Sequence, residues 1–207
     1  MASSEIKRIM DNARIRLPGA LDAAIKIELF SLLNEFFQET NIWSEDIPFQ
    51  VTATTQSYIE NPAAYTYEVF PAEGGIINRL MGVADDKGLQ VGAIMPVPGQ
   101  IVLHYSPNQA MTYTARVTKT ITDPVDSEGY PDCPEWVIAK YNNDILDGVL
   151  GRMMGQLAKP YSSPQLALFH LRQFKQSIGK ARAEAMHGNI YRGQNWRFPR
   201  AFSSRRY

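Results

Sequence analysis

The sequence predicts an α+β protein: a four-helix bundle of two N-terminal and two C-terminal helices, an inserted small antiparallel β module, and an extended C-terminal tail. Three observations carry that expectation. Apolar residues recur at helical spacing near both ends of the chain; they alternate between about Ile47 and Thr122; and the last segment loses all period while turning basic and aromatic. The expected organisation is residues 1–45 as an N-terminal helical pair, 46–133 as the β module, 134–188 as the C-terminal pair completing the bundle, and 189–207 as the tail. With 207 residues and 44% apolar content, the chain can bury one sizeable core, or a core plus a modest second module.

Ile6, Ile9, Met10, Ala13 and Leu17 define the first helix, with Ser3 or Ser4 available as N-cap and Pro18-Gly19 as its end. The second runs from about Leu21 to Glu39, with Ile25, Leu29, Leu32, Leu33 and Phe36 on one continuous face. Burying those five side chains contributes roughly 1.5–3 kcal/mol each, an upper range because the unfolded chain is already partly compact. The period then becomes two. Phe49, Val51 and Ala53 alternate, as do Tyr65, Tyr67 and Val69; Ile77, Met81 and Val83 around Arg79; Ile101, Leu103 and Tyr105; and Tyr113, Ala115 and Val117. Turn signals separate them at Asn61-Pro62, Gly74-Gly75, Asp85 to Gly88, Pro96 to Gly99 and Ser106 to Asn108. The module therefore has about five or six half-buried strands.

After the acidic, proline-punctuated stretch Asp123 to Pro134, helical spacing returns. The third helix is expected from about Glu135 to Ala158, with Ile138, Tyr141, Ile145, Val149 and Met153 on one side and Leu146, Leu150, Met154 and Leu157 widening the apolar surface. Gly148, Gly151 and Gly155 imply close backbone approach, each costing about 1 kcal/mol relative to Ala. A helix apolar on more than one face, with small residues on it, calls for more than one packing partner. Pro160 ends it, and Ser163-Pro164 restarts the chain as N-cap and N1 proline. The fourth helix carries Ala167, Leu171, Phe174, Ile178, Ala181 and Ala185 as a heptad seam, with Gly188-Asn189 as its expected C-cap. Arg172, Lys175 and Arg182 share a narrow sector of that helix.

Charge is strongly segregated. Leu171 to Tyr207 contains nine basic residues and one acid, a net of +8, which leaves twelve basic and twenty acidic residues, a net of −8, for the rest. In the tail, Arg192, Arg197, Arg200, Arg205 and Arg206 are interleaved with Tyr191, Trp196, Phe198, Phe202 and Tyr207. Arg and large aromatics are the residues most enriched at binding hot spots, whereas a purely solvating segment favours Lys, Glu, Ser and Gly.

Chemistry finds little support. His104, His170 and His187 are scattered, with no metal-ligand or triad spacing, and no phosphate-binding or nucleophile-elbow motif is present. No catalytic residue, cofactor or metal is expected. Asp123, Asp126, Glu128 and Asp132 lack the twelfth-position Glu of a calcium loop and read as a solvated acidic loop. Asp85-Asp86 and Glu45-Asp46 are taken as turn pairs without chemical roles. Cys133, the only cysteine, excludes an intramolecular disulfide and suits a reducing compartment. No run is long and apolar enough for a membrane span, and MASSEIKRIM lacks the apolar core of a signal peptide.

The stretch Lys159-Pro-Tyr-Ser-Ser-Pro-Gln-Leu-Ala-Leu-Phe-His-Leu-Arg-Gln-Phe, continuing to Ala181 to Ala185, resembles the C-terminal helical hairpin of head-to-tail adaptor (connector) proteins of tailed bacteriophages. The order of helices around a β insertion, with Trp43 after the second helix, is similar to that family as well. The resemblance implies a structural virion protein without catalytic residues, assembled as a homo-oligomeric ring, commonly of twelve subunits, at the neck between capsid and tail. Its implied partners are the portal protein and a tail or nozzle protein, with genomic DNA passing through unbound; host cytoplasm is its place during assembly, and no membrane is involved.

On that reading Tyr191, Arg192, Trp196, Arg197, Phe198, Arg200, Phe202, Arg205, Arg206 and Tyr207 are the expected portal contacts. Gly148, Gly151, Gly155, Arg172, Lys175 and Arg182 are the expected subunit interface, and acidic side chains of the Asp123 to Asp132 loop or the Asp85-Asp86 turn are expected at the channel. The alternative is a nucleic-acid-binding protein whose Arg and aromatic tail residues contact phosphates and stack on bases. The acidic body opposes it.

Overall fold

The computed structural model describes residues 2–51, 66–72, 74–104, 110–122 and 129–187. Helices near both ends of the chain flank a small antiparallel β module, giving an α+β fold. Helix α1 spans Ala2–Arg16 and α2 spans Asp22–Thr40. Ser3 and Ser4 lie inside α1 instead of capping it, since the helix starts at Ala2. The apolar stripes of both helices are buried as the spacing required. Asn41 caps α2 after Thr40: its backbone is left-handed (φ 55°) and its N–H donates to the Phe37 carbonyl at 3.2 Å.

Seven strands follow: β1 Ser44–Val51, β2 Thr66–Glu68, β3 Ile76–Ala84, β4 Gln90–Val91, β5 Ala93–Val97, β6 Gln100–Leu103 and β7 Met111–Thr120. A four-stranded sheet has the order β1-β7-β3-β4 and a three-stranded sheet the order β2-β6-β5. Only Gly92 separates β4 from β5, so the chain passes from one sheet to the other at that corner. The sheets close over one core, in which Phe49, Tyr113 and Val117 of the first meet Ile101 and Leu103 of the second.

Strand β3 departs from simple alternation. Two register shifts in β3, between Ile77 and Arg79 and between Leu80 and Gly82, change its phase twice. Leu80 therefore packs on the β core, and Met81, expected inside, is 54% exposed.

The expected third helix is two: α3, Glu135–Lys140, and α4, Asn142–Met154. Tyr141 divides them with φ −105° and ψ 21°. Its hydroxyl donates to Glu184 Oε2 at 2.5 Å and its ring sits 5.2 Å from that of Phe36. Helix α4 stops at Met154, short of Ala158, so Leu157 is 79% exposed instead of extending the apolar surface. Helix α5, Pro164–Met186, begins with proline in the first turn as expected, although the Ser163 side chain makes no capping hydrogen bond. Its expected C-cap at Gly188-Asn189 lies outside the described residues, as do Ala53, Tyr65 and Tyr105 of the expected strands.

Helix α4 is central to the helical core. It runs antiparallel to α2, with Gly148 against Leu32 and Arg152 reaching Glu28, and also packs on α1 and α5. A Cβ on Gly148 would lie 2.9 Å from both Leu32 Cδ2 and Phe174 Cδ2, and one on Gly151 would lie 2.7 Å from Leu171 Cγ and 3.0 Å from its backbone nitrogen. Gly151→Leu is accordingly expected to overpack the α4–α5 contact and cost about 1–3 kcal/mol, read as a lowered urea midpoint with unchanged m. A midpoint equal to that of the parent would refute the contact.

Candidate functional site

A buried polar cluster joins the helical core to the β module, and it involves the Glu45-Asp46 pair to which the sequence suggested no role. Both residues lie on β1 rather than in a turn, and their side chains pair with different residues of β7. Lys119 Nζ donates to Glu45 Oε2 at 2.6 Å and lies 4.6 Å from the centroid of the Trp43 ring, with its side chain only 1% exposed. Glu45 Oε1 accepts the Ala72 N–H at 2.9 Å, and the Lys119 N–H donates to the Trp43 carbonyl at 2.8 Å. Burial opposes ionisation of Glu45, but the hydrogen bonds from Lys119 and Ala72 outweigh it and hold its carboxyl below the ordinary range. Gly75, at φ +80°, lies beneath the indole, where a Cβ would come within 2.5 Å of Trp43 Cη2. The neighbouring Thr120 hydroxyl donates to Asn34 Oδ1 of α2 at 2.5 Å. These contacts tie β7 to the helices.

On the outer face of the four-stranded sheet, the Arg116 guanidinium donates to both Asp46 carboxylate oxygens at 2.7 Å. Those bonds hold the Asp46 carboxyl below its usual range. Arg116 and Met81 are shared by two adjoining hollows of about 420 and 460 Å³. The first extends to Asn41 and Thr118 and to Ala185 and Met186 at the end of α5; the second extends to Ala84, Gln90 and Thr114.

The expected interface residues have different fates. Gly148 and Gly151 are buried against the chain's own α2 and α5, so the close approach they imply is made within the chain. Gly155 is exposed at the end of α4. Arg172 and Lys175 are exposed on α5, whereas Arg182 donates to the Glu39 carbonyl and carboxylate at 2.7 Å each, fastening α5 to the last turn of α2. The expected portal contacts from Tyr191 to Tyr207 lie outside the described residues, and so do Asp123, Asp126 and Glu128 of the acidic loop. Asp132 is exposed. Asp85 shapes its own turn, its carboxylate accepting the N–H groups of Lys87 and Leu89 at 2.9 and 2.8 Å, while Asp86 is exposed.

The histidines remain apart: His170 pairs with Asp147 at 2.9 Å between α5 and α4, and His104 lies beside Gly92 at the sheet corner. Burial, reinforced by Asp132, pushes the Cys133 thiol up to about 12, which leaves it a poor nucleophile. Among the described residues no group of three or more His, Cys, Asp or Glu side chains is arranged to hold a metal, and no helix is long and apolar enough to cross a membrane. No protein-family model matches the chain, and no curated protein matches its sequence.

Apolar side chains are also exposed at the end of the helical core remote from the β module. Ile15, Leu21, Leu157, Leu166 and Phe169 all stand there, because α1 and α4 end and α2 and α5 begin at that pole. A second exposed set, Phe70, Ile76 and Val97, lies on the β module. Single exposed apolar residues were not distinguishable in the sequence from those that a longer helix would have buried.

Proposed function

We propose that the chain is a structural virion subunit, a head-to-tail adaptor whose copies form a ring between the portal and the tail of a bacteriophage and line the DNA channel. In this reading α1, α2, α4 and α5 are the four-helix bundle of the subunit, and residues 189–207 engage the portal. The observation that carries it is the order of the chain: helical pairs on either side of a β module, followed after α5 by a segment with five arginines, five large aromatics and no acid. Tyr191, Trp196, Phe198, Phe202 and Tyr207 would fill apolar pockets, and the arginines would pair with carboxylates at their rims. Asp86 and the acidic loop supply the like charge that keeps DNA sliding instead of sticking.

Removal of residues 191–207 is the test. The shortened chain is expected to keep its thermal midpoint while losing binding to purified portal in mass photometry, and Trp196→Ala or Phe198→Ala alone to weaken docking by about 2 kcal/mol or more. Undiminished docking of the shortened chain would overturn the assignment. Tight, salt-sensitive binding of the intact protein to nucleic acid, lost with the same deletion, would instead favour the nucleic-acid-binding alternative.

A further inference from the structure

The two sheets enclose one core, so their outer faces point in opposite directions, and those faces differ in relief and charge. The outer face of the four-stranded sheet is recessed. Gly82 and Ala84 on β3 stand opposite Arg116 and Thr114 on β7, and the two hollows run along them. In the floor of the first hollow, Thr118 Oγ1 and Asn41 Oδ1 are buried without a hydrogen-bond partner, although buried polar atoms are nearly always paired. Arg79, cross-strand from Thr118, is exposed and makes no ion pair among the described residues.

The opposite face is a ridge. Ile94 of β5, Val102 of β6 and Thr66 of β2 lie in one cross-strand row. Their flanking residues Ala93, Met95, Ile101 and Leu103 pack inward, which turns Ile94 and Val102 outward, and Ile94 is 50% exposed. Glu68, two residues beyond Thr66 and so on the same face, is exposed and likewise forms no ion pair among the described residues.

We infer that the Ile94–Val102 ridge of one copy seats in the Gly82–Ala84–Met81 recess of a second copy, with Glu68 of the first facing Arg79 of the next. An apolar ridge matches a recess whose β3 side is formed by the small Gly82 and Ala84, and Glu68 and Arg79, neither in an ion pair among the described residues, are opposite in sign. Since the two faces belong to opposite sides of one module, the contact is heterologous. It leaves a free ridge and a free recess on every pair and propagates instead of closing as a two-fold dimer. This deepens the ring reading above and rests on it only for closure into a ring.

Complementary blocking tests the inference. Ile94→Arg removes the ridge, and Thr114→Arg fills the recess from an outward position on β7. Each variant, with parental circular dichroism and thermal midpoint, is expected to lose the higher oligomers that the intact protein forms on its own or on portal, with association weakened about tenfold or more. Mixed in equal amounts and followed by analytical ultracentrifugation, the two variants should form dimers and nothing larger, because each retains the one face that the other lacks. Glu68→Arg should weaken assembly and Arg79→Glu in the same chain should restore it.

Oligomers of both variants equal to those of the intact protein would overturn the contact while leaving the ring reading standing. An intact protein that stays monomeric at every concentration, with and without portal, would overturn both. Loss of assembly on removal of residues 188–207, with Ile94→Arg harmless, would give the recess to that segment and overturn the second-copy assignment.

Discussion

Glu45→Ala is expected to destabilise the protein by about 3–5 kcal/mol, because it leaves the ammonium of Lys119 buried without its carboxylate. The Trp43 ring remains, but a cation–π contact is worth only about 2 kcal/mol even when desolvated. Lys119→Met is expected to cost much less, since Glu45 keeps the Ala72 N–H and its side chain is 20% exposed, enough to reach water. In chemical denaturation the Glu45→Ala/Lys119→Met double variant should recover most of the loss of Glu45→Ala. A double variant as unstable as that single would mean that packing at β1, and not the loss of the carboxylate from Lys119, sets the cost. The acid limb follows in sign. Glu45 has a folded pKa below its unfolded one, so its contribution is complete above the ordinary carboxylate range and is lost as pH falls through the folded value. Stability of the intact protein should therefore decline on acidification more steeply than that of the double variant.

Phe36→Ala is expected to cost about 3–5 kcal/mol, the range for a large aromatic removed from a core that relaxes only in part. Phe36 is fully buried, and its ring meets those of Phe37, Tyr141 and Phe174 at centroid distances of 6.0, 5.2 and 6.4 Å. It thus joins α2, the α3–α4 break and α5 at one point. Phe36→Leu retains most of the volume and should lose less than half as much. Thermal unfolding compared across the two variants would check this, and a shift in midpoint of less than about 2 °C for Phe36→Ala would contradict the packing described.

Local signals were sufficient where one face of an element meets one core. The stripe from Ile25 to Phe36 and the alternation of Tyr113, Ala115 and Val117 each declare a buried face by period alone, and each is buried. The seam of α5 from Ala167 to Ala185 likewise meets the helical core. Period failed where the backbone changed phase. Met81 follows the alternation begun at Ile77, but two bulges set by pairing with β7 turn it outward. Similarly, Val137, Ile138 and Ile145 are consistent with an uninterrupted helix, yet the backbone departs from helical geometry at Tyr141, whose side chain contacts Glu184 and Phe36.

The candidate surfaces were less legible for the same reason. Gly148 and Gly151 announced close approach without saying to what, and α2 and α5 of the same chain supply the answer. Glu45 and Asp46 look like an ordinary acidic pair, because their partners Lys119 and Arg116 lie 74 and 70 residues away. By itself the sequence determined the α+β class, the core-facing side of most elements, and the segregation of positive charge to the C-terminal end, since each is a matter of local period or composition. Only the tertiary structure decided the phase of β3, the break at Tyr141, the ion pair under Trp43 and the opposed outer faces of the β module. These depend on distances between residues far apart in the chain, which close only when β1, β3 and β7 share a sheet and α2, α4 and α5 share a core.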